Sequence, residues 1–151
     1  MSLLDELDFK GSIATIKLRE QHKDTVKIAE SYLQNKNLNN LLNHVEELFK
    51  VHFEIEEKIV YPVFEKYLRN YLPYIEPIKM VLAEHNGVRN LYRKIREGID
   101  VENNAKTLAE LLLQHVYKEE NGVFNQVDKF VPEEEKLKIS DQIDQFLKNI
   151  K

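Results

Sequence analysis

The residues best suited to chemistry in this sequence are two histidine–glutamate pairs with the same spacing. His52 and Glu56 stand in "KVHFEIEEKIVYP", and His115 and Glu119 stand in "LLQHVYKEENGVF". Residues i and i+4 share one face of a helix, so each pair directs an imidazole and a carboxylate to the same side. Imidazole nitrogen and carboxylate oxygen are donors that can hold a transition-metal ion.

A repeat relates the two pairs to two further histidines. An offset of 63 residues carries His52 onto His115, and the same offset carries His22 in "LREQHKD" onto His85 in "LAEHNGV". Two coincidences at one offset indicate an internal duplication of a pair of helices. The repeat therefore predicts four histidines in equivalent positions.

The elements that must position these residues are predicted to be helices. The chain has 151 residues with four Gly and four Pro, and apolar residues recur at helical spacing. We predict an all-α fold: an up-down-up-down four-helix bundle over residues 12–130, preceded by an extension at 1–11 and followed by a C-terminal helix at 131–151. The bundle helices are expected at about 12–34, 38–68, 78–97 and 101–130, with a clear loop at 70–77.

The loop positions predict that all four histidines reach one level of the bundle. Residues at one level on adjacent antiparallel helices are equidistant from the loop that joins them. The midpoints between successive histidines fall at position 37, between 68 and 69, and at position 100, where loops are expected. The two glutamates then lie one turn from that level on the same side.

Such a polar layer in an apolar interior predicts a metal cluster, because each buried ion without a partner costs several kcal/mol. Six ligands exceed what a tetrahedral zinc site needs, and this donor set suits iron better than magnesium or calcium. With both glutamates bridging, each of two metals receives two nitrogens and two oxygens, which leaves room for an oxo or hydroxo bridge and one open position. The predicted metal ligands are His22, His52, Glu56, His85, His115 and Glu119.

With these residues in place, the sequence resembles the hemerythrin-like, or HHE cation-binding, family of non-haem di-iron bundles over about residues 12–130. "HFEIEEKIVYPVF" is similar to the family's second-helix signature. The resemblance implies the same six ligands and two iron ions, with zinc or manganese as alternatives. Arg89 stands where oxygen-carrying hemerythrins have a further histidine, so the ligand set is closest to the repair of iron centres (RIC) proteins, without their cysteine-containing N-terminal domain.

The resemblance implies a cytoplasmic di-iron protein that binds or reacts with O2 or NO, or supplies iron to an acceptor protein during stress response and iron-centre repair. Whether it turns over a substrate stays open. The alternatives are a metal-dependent sensory or binding module and a structural bundle that binds zinc or another metal. Ferritin-like oxidases use Glu-x-x-His, and no histidine here has a glutamate three residues before it.

Charge and composition exclude other classes. The net charge of -4 and the pI near 5.8 give no basic surface for nucleic acid. The acidic N-terminal residues show no signal peptide or membrane span. The absence of cysteine excludes disulfides and thiolate metal sites. We expect a monomer, or a homodimer formed through the C-terminal helix.

Four residues near the predicted ligands have two interpretations each. Glu57 and Glu120, which repeat each other, either are solvated or contact the cluster histidines. Gly122 allows either close helix packing or space for a small ligand beside one iron. Tyr117 either packs at the bundle edge or donates a hydrogen bond to a bound diatomic molecule.

Overall fold

A computed structural model describes residues 2–69 and 72–150, and within these ranges the chain forms helices and no strand. The all-α prediction is confirmed. The helices are α1 (Leu3–Glu6), α2 (Ile16–Asn35), α3 (38–68), α4 (Leu72–Arg96), α5 (101–130) and α6 (Glu133–Asn149).

Helices α3 and α5 are continuous but change their hydrogen-bond pattern along their length. Helix α3 runs as Leu38–Glu47, a π-helical segment Leu48–His52, Phe53–Ile55, a second π-helical segment Glu56–Val60, and Tyr61–Leu68. Helix α5 runs as Val101–Lys118, a π-helical segment Glu119–Val123, and Phe124–Phe130. The sequence pattern does not predict these π-helical segments.

The four long helices close into an antiparallel ring. Helix α2 packs against α3 and α5, and α4 packs against the same two helices. Helix α2 ends at Asn35, and its C-cap residue Lys36 has a φ of 59°. The Asn37 side chain caps α3 by accepting a hydrogen bond from the Asn40 N–H. Helix α4 is followed by Gly98 and Asp100, both with positive φ. The first and last turns of the bundle therefore lie at the midpoints that the histidines predict.

The start of α4 differs from the sequence-based prediction. A loop is predicted at 70–77, but α4 begins at Leu72 and contains Pro77; residues 70 and 71 lie outside the described residues. A proline inside a helix removes one backbone hydrogen bond. Ile75 and Ile78 on either side of Pro77 are buried in an apolar cluster with residues of α3. Burial of such side chains contributes about 1.5–3 kcal/mol each, which offsets the lost bond.

Among the described residues, two large apolar clusters fill the interior, one at each end of the bundle, and a smaller third cluster packs Leu7 and Phe9 against Val26 and Val116. The first contains Leu18 and Phe64, and it includes Ile139 and Ile143 of α6, which packs against α3. The second contains Leu108 and other buried residues of α2, α3, α4 and α5. The C-terminal helix α6 thus covers one end of the bundle.

The outer faces of the helices are charged. Within residues 2–69 and 72–150, no helix combines the length and the apolarity that crossing a bilayer demands.

We expect Leu108→Ala to lower the free energy of unfolding by about 2–5 kcal/mol, because Leu108 is fully buried and its truncation leaves a cavity. Leu137→Ala is the matched control, because Leu137 is 52% exposed on α6, and it should change stability by less than about 0.5 kcal/mol. Urea unfolding followed by circular dichroism measures both. Equal effects of the two substitutions would contradict the assignment of the core.

Candidate metal centre

The structure brings the six predicted ligands together between the two apolar clusters. They form two groups of four whose donor atoms lie within 4.8 Å of one another, and every member is buried. Each group contains two histidines of its own and shares both glutamates with the other group. The groups are His22, His52, Glu56 and Glu119, and Glu56, His85, His115 and Glu119.

The π-helical segments lie where the ligands project. His52 ends the segment Leu48–His52, and Glu56 begins the segment Glu56–Val60. Glu119, the repeat counterpart of Glu56, begins the segment Glu119–Val123. In such a segment the backbone pairs over five residues, as the Tyr61 N–H does with the Glu56 carbonyl. Short π-helical turns inside α-helices are frequent at functional sites, and here the two central carboxylates stand at equivalent ones.

Each shared glutamate touches one histidine of each group. The Nε2 atoms of His22 and His115 lie 3.0 and 3.1 Å from Oε1 of Glu119. Glu56 stands in the same relation to His52 and His85, at 3.4 and 3.0 Å from their Nε2 atoms. Both carboxylates therefore lie at the boundary between the two groups, as bridging ligands would.

Several buried donor atoms at the centre have no hydrogen-bond partner. They are Nε2 of His52, His85 and His115, and Oε1 of Glu56. Leaving a buried polar atom unpaired costs about 1–3 kcal/mol, so four such atoms in one place are unfavourable unless something else binds them. Imidazole nitrogens and carboxylate oxygens aimed at one point fit a divalent metal ion. The residues present therefore fit a metal ion.

The outer nitrogen of every ligand histidine has an acceptor. The oxygen atom at each Nδ1 accepts a hydrogen bond from it, which in the neutral ring leaves the lone pair of Nε2 facing the centre. Such outer bonds fix the ring orientation of metal-binding histidines. The pairs are His22–Glu120 at 2.5 Å, His52–Gln21 at 2.8 Å, His85–Glu57 at 2.6 Å and His115–Glu84 at 2.8 Å.

Cations hold the three outer carboxylates. Arg89 donates to Glu57 at 2.9 Å, and Lys118 donates to Glu84. Glu120 pairs with Arg19 at 2.9 Å, and both of those side chains are only 2% exposed.

Arg19 in turn is held by its surroundings. Its guanidinium also donates to Asn125 and Asp128. A Cβ atom at Gly11 would lie 2.3 Å from its Nε and 2.4 Å from Oγ1 of Thr15, which is too close for any side chain. Arg19 therefore needs a glycine at position 11.

A tyrosine and two phenylalanines complete the walls. The buried Tyr61 hydroxyl contacts both shared glutamates: it donates to Glu119 and lies 3.3 Å from Oε2 of Glu56. Phe53 stacks on His85 with ring centroids 3.7 Å apart, and Phe124 stacks on His22 at 5.2 Å. Aromatic faces on the imidazoles exclude water and restrict ring rotation.

Burial and mutual charge shift the protonation of these groups in opposite directions. Burial lowers the pKa of His85 to about 4 and that of His52 well below its ordinary value. Burial and the neighbouring Glu119 raise the pKa of Glu56 well above its ordinary value. Although burial alone would lower the pKa of His115, Glu119 and Glu84 raise it to about 9. Without a metal, protons supply part of the positive charge that the carboxylates require.

The structure distinguishes between the two interpretations that the sequence left open for Glu57, Glu120, Gly122 and Tyr117. Glu57 and Glu120 contact ligand histidines, as one of their two interpretations expects. Tyr117 is 49% exposed. Together with Gly122 it lines a surface cavity of about 270 Å³, and no predicted metal ligand lines that cavity. A Cβ at Gly122 would meet nothing within 4 Å, so close packing does not explain this glycine.

Sequence reasoning missed three residues of the centre. Gln21 and Glu84 bond ligand histidines, and Tyr61 contacts both shared glutamates. Gln21 and Glu84 are themselves related by the offset of 63 residues and each precedes a ligand histidine, so the repeat contained a signal for both.

Fold and centre together define a helical-bundle protein whose core can bind metal ions through histidine and glutamate. The family described as hemerythrin HHE cation binding domain matches residues 14–127. The chain therefore belongs to the hemerythrin HHE cation-binding family. No curated protein and no solved structure gives a significant match.

We expect the titration of His85 and His115 to favour the folded metal-free protein most near pH 6.5, while the raised pKa of Glu56 makes that protein less stable as the pH rises above the ordinary carboxyl value. The lowered pKa of His85, about 4, means that the folded state binds fewer protons than the unfolded state, so stability rises from pH 4 towards 6.5. The raised pKa of His115, about 9, gives stability that is fully present below pH 6.5 and is lost as the pH rises to 9. Urea unfolding of chelator-treated protein between pH 4 and 9 measures this dependence.

The variant His115→Gln should weaken the decline between pH 6.5 and 9, because glutamine does not titrate. An unchanged decline in that variant would show that His115 does not carry the effect.

Proposed function

We propose that this protein binds two iron ions between its four long helices and uses them to bind or react with O2 or NO, or to supply iron to an acceptor protein. The observation that carries the proposal is the sharing of Glu56 and Glu119 by two buried groups, each with two histidines of its own. One ion bound by a structural site needs neither the second pair of histidines nor two shared carboxylates.

In this proposal the four histidines would hold the metal ions through Nε2, and the two shared glutamates would serve both ions. His22 and His52 would hold one ion, and His85 and His115 the other. When bound, two adjacent iron ions supply reversible one-electron chemistry and an open position for a small ligand. The chain's own residues fix the rings through Nδ1, hold the bridging carboxylates through Tyr61, and exclude water with Phe53 and Phe124.

The donor set supports iron over the alternatives. A structural zinc site is closed by four ligands, and manganese, magnesium and calcium favour sites dominated by oxygen. Four imidazoles with two carboxylates lie between these extremes and suit iron. Zinc and manganese remain the metals against which iron is to be compared.

Arg89 supports a reactive or exchangeable centre over reversible oxygen storage. It stands where oxygen-carrying hemerythrins have a further histidine, and a guanidinium is always protonated and cannot bind a metal. Arg89 instead donates to Glu57, which fixes His85. Arg89 would therefore give the centre one protein nitrogen fewer than oxygen-carrying hemerythrins have, which is the ligand set that resembles the RIC proteins.

After anaerobic loading with Fe(II) and desalting, we expect two iron ions per chain. The double variant His52→Ala/His115→Ala removes one nitrogen from each group and should retain well under half of that iron. Iron is measured by a colorimetric assay against protein concentration, with zinc and manganese loaded in parallel.

The control is His44→Ala, because His44 lies on α3 but bonds Thr25 at 2.8 Å and belongs to neither group. It should retain two irons. Two irons in the double variant, or none in the parent, would exclude the proposed centre.

We expect NO or O2 added to the anaerobic Fe(II)-loaded parent to change its visible absorption, since the centre offers positions that no protein atom fills. The iron-free parent and the double variant loaded in the same way should show no such change. If neither gas alters the spectrum while iron moves to a chelating acceptor protein, iron supply is the supported function.

A further inference from the structure

The acceptors at the outer nitrogens of the four histidines differ between the two halves of the centre at one position. The offset of 63 residues carries the pair His85–Glu57 onto the pair formed by His22 and Glu120, which makes the same bond. The remaining two pairs also correspond by position, but His115 has the carboxylate of Glu84 where His52 has the amide of Gln21. The group that contains His22 and His52 therefore has one outer carboxylate, and the other group has two.

An outer carboxylate strengthens the metal bond of its histidine more than an amide does. A negatively charged acceptor at Nδ1 raises the basicity of the ligand ring, and changes of such partners typically alter metal affinity about 10–100-fold. A neutral amide accepts the same hydrogen bond without the charge. His52 is therefore the weaker of the two equivalent donors, His52 and His115.

Solvent also approaches the group of His22 and His52. Gln21 and His52 line a surface cavity of about 280 Å³, and Asp24 and Glu47 stand in the same cavity. Its carboxylates favour a divalent cation that enters or leaves. His85, at the far side, is fully buried beneath Phe53.

We propose that the two metal positions are inequivalent, that the one held by His22 and His52 binds more weakly and exchanges faster, and that Gln21 sets the difference. This inference rests on the proposed two-metal centre. Gln21 acts through His52 and is a positioning residue. One ion would then stay in the deeper position while the other is exchanged through the cavity.

The first test is the rate at which a colorimetric ferrous chelator removes iron from the anaerobic Fe(II)-loaded protein. The parent should release its two irons in two phases of equal amplitude. Gln21→Glu should slow the fast phase about 10–100-fold, and Glu84→Gln should accelerate the slow phase by a similar factor. Both substitutions keep the shape of the side chain, and circular dichroism verifies the fold.

Gln142→Glu is the matched control, because it adds the same charge at an exposed position on α6; both phases should be unchanged. A single release phase of two irons in the parent would overturn the inference and leave the two-metal centre intact. Failure of the parent to retain two irons would overturn both.

The second test locates the first ion directly. Crystals of the metal-free protein loaded with one equivalent of Co(II) should show anomalous scattering among Glu56, Glu119, His85 and His115. In the exchanged variant Gln21→Glu/Glu84→Gln the ion should move to the group of His22 and His52. Equal occupancy of both positions in the parent, or no movement in the exchanged variant, would overturn the role of Gln21.

Discussion

The structure depends on the burial of a polar layer inside an apolar bundle. Four imidazoles and two carboxylates cannot be enclosed without partners, because each unpaired buried group is costly. The protein itself provides a hydrogen-bond acceptor for the outer nitrogen, Nδ1, of each of the four imidazoles. The inner atoms are left facing one another, and a cation is what satisfies them together. Binding and folding of this layer are therefore coupled.

The outer acceptors extend the polar layer towards the surface in two different ways. Around Glu120 the partner is a guanidinium that is itself enclosed and bonded to several side chains. Around Glu57 and Glu84 the partners are half-exposed side chains on the helix surfaces. The carboxylates at three of the four outer nitrogens are therefore paired with an enclosed cation on one side and with solvent-exposed cations on the other. Pairs of the second kind are the ones that salt weakens.

Much of this could be predicted from the sequence, because helical spacing is simple arithmetic. The repeat of His22 and His52 in His85 and His115 required only a constant offset, and the level of the layer followed from equal distances to the turns. The π-helical segments could not be predicted in this way, since they do not alter the apolar pattern of α3 and α5. The early start of α4 was missed because Pro77 is locally unfavourable and only tertiary burial of Ile75 and Ile78 offsets it. The role of Gln21 required knowing which helices are neighbours.

Gly11 shows how far the demands of the centre reach along the chain. It lies in the segment before α2 and is not a member of either donor group. A methyl group at this position would nevertheless press on Arg19. Arg19 in turn holds Glu120, and Glu120 orients His22. Inherited or engineered changes at this loop position would therefore resemble changes of a ligand in their consequences. The mutational footprint of the centre is wider than its coordination sphere, and it includes a residue whose only contribution is the space that it leaves empty.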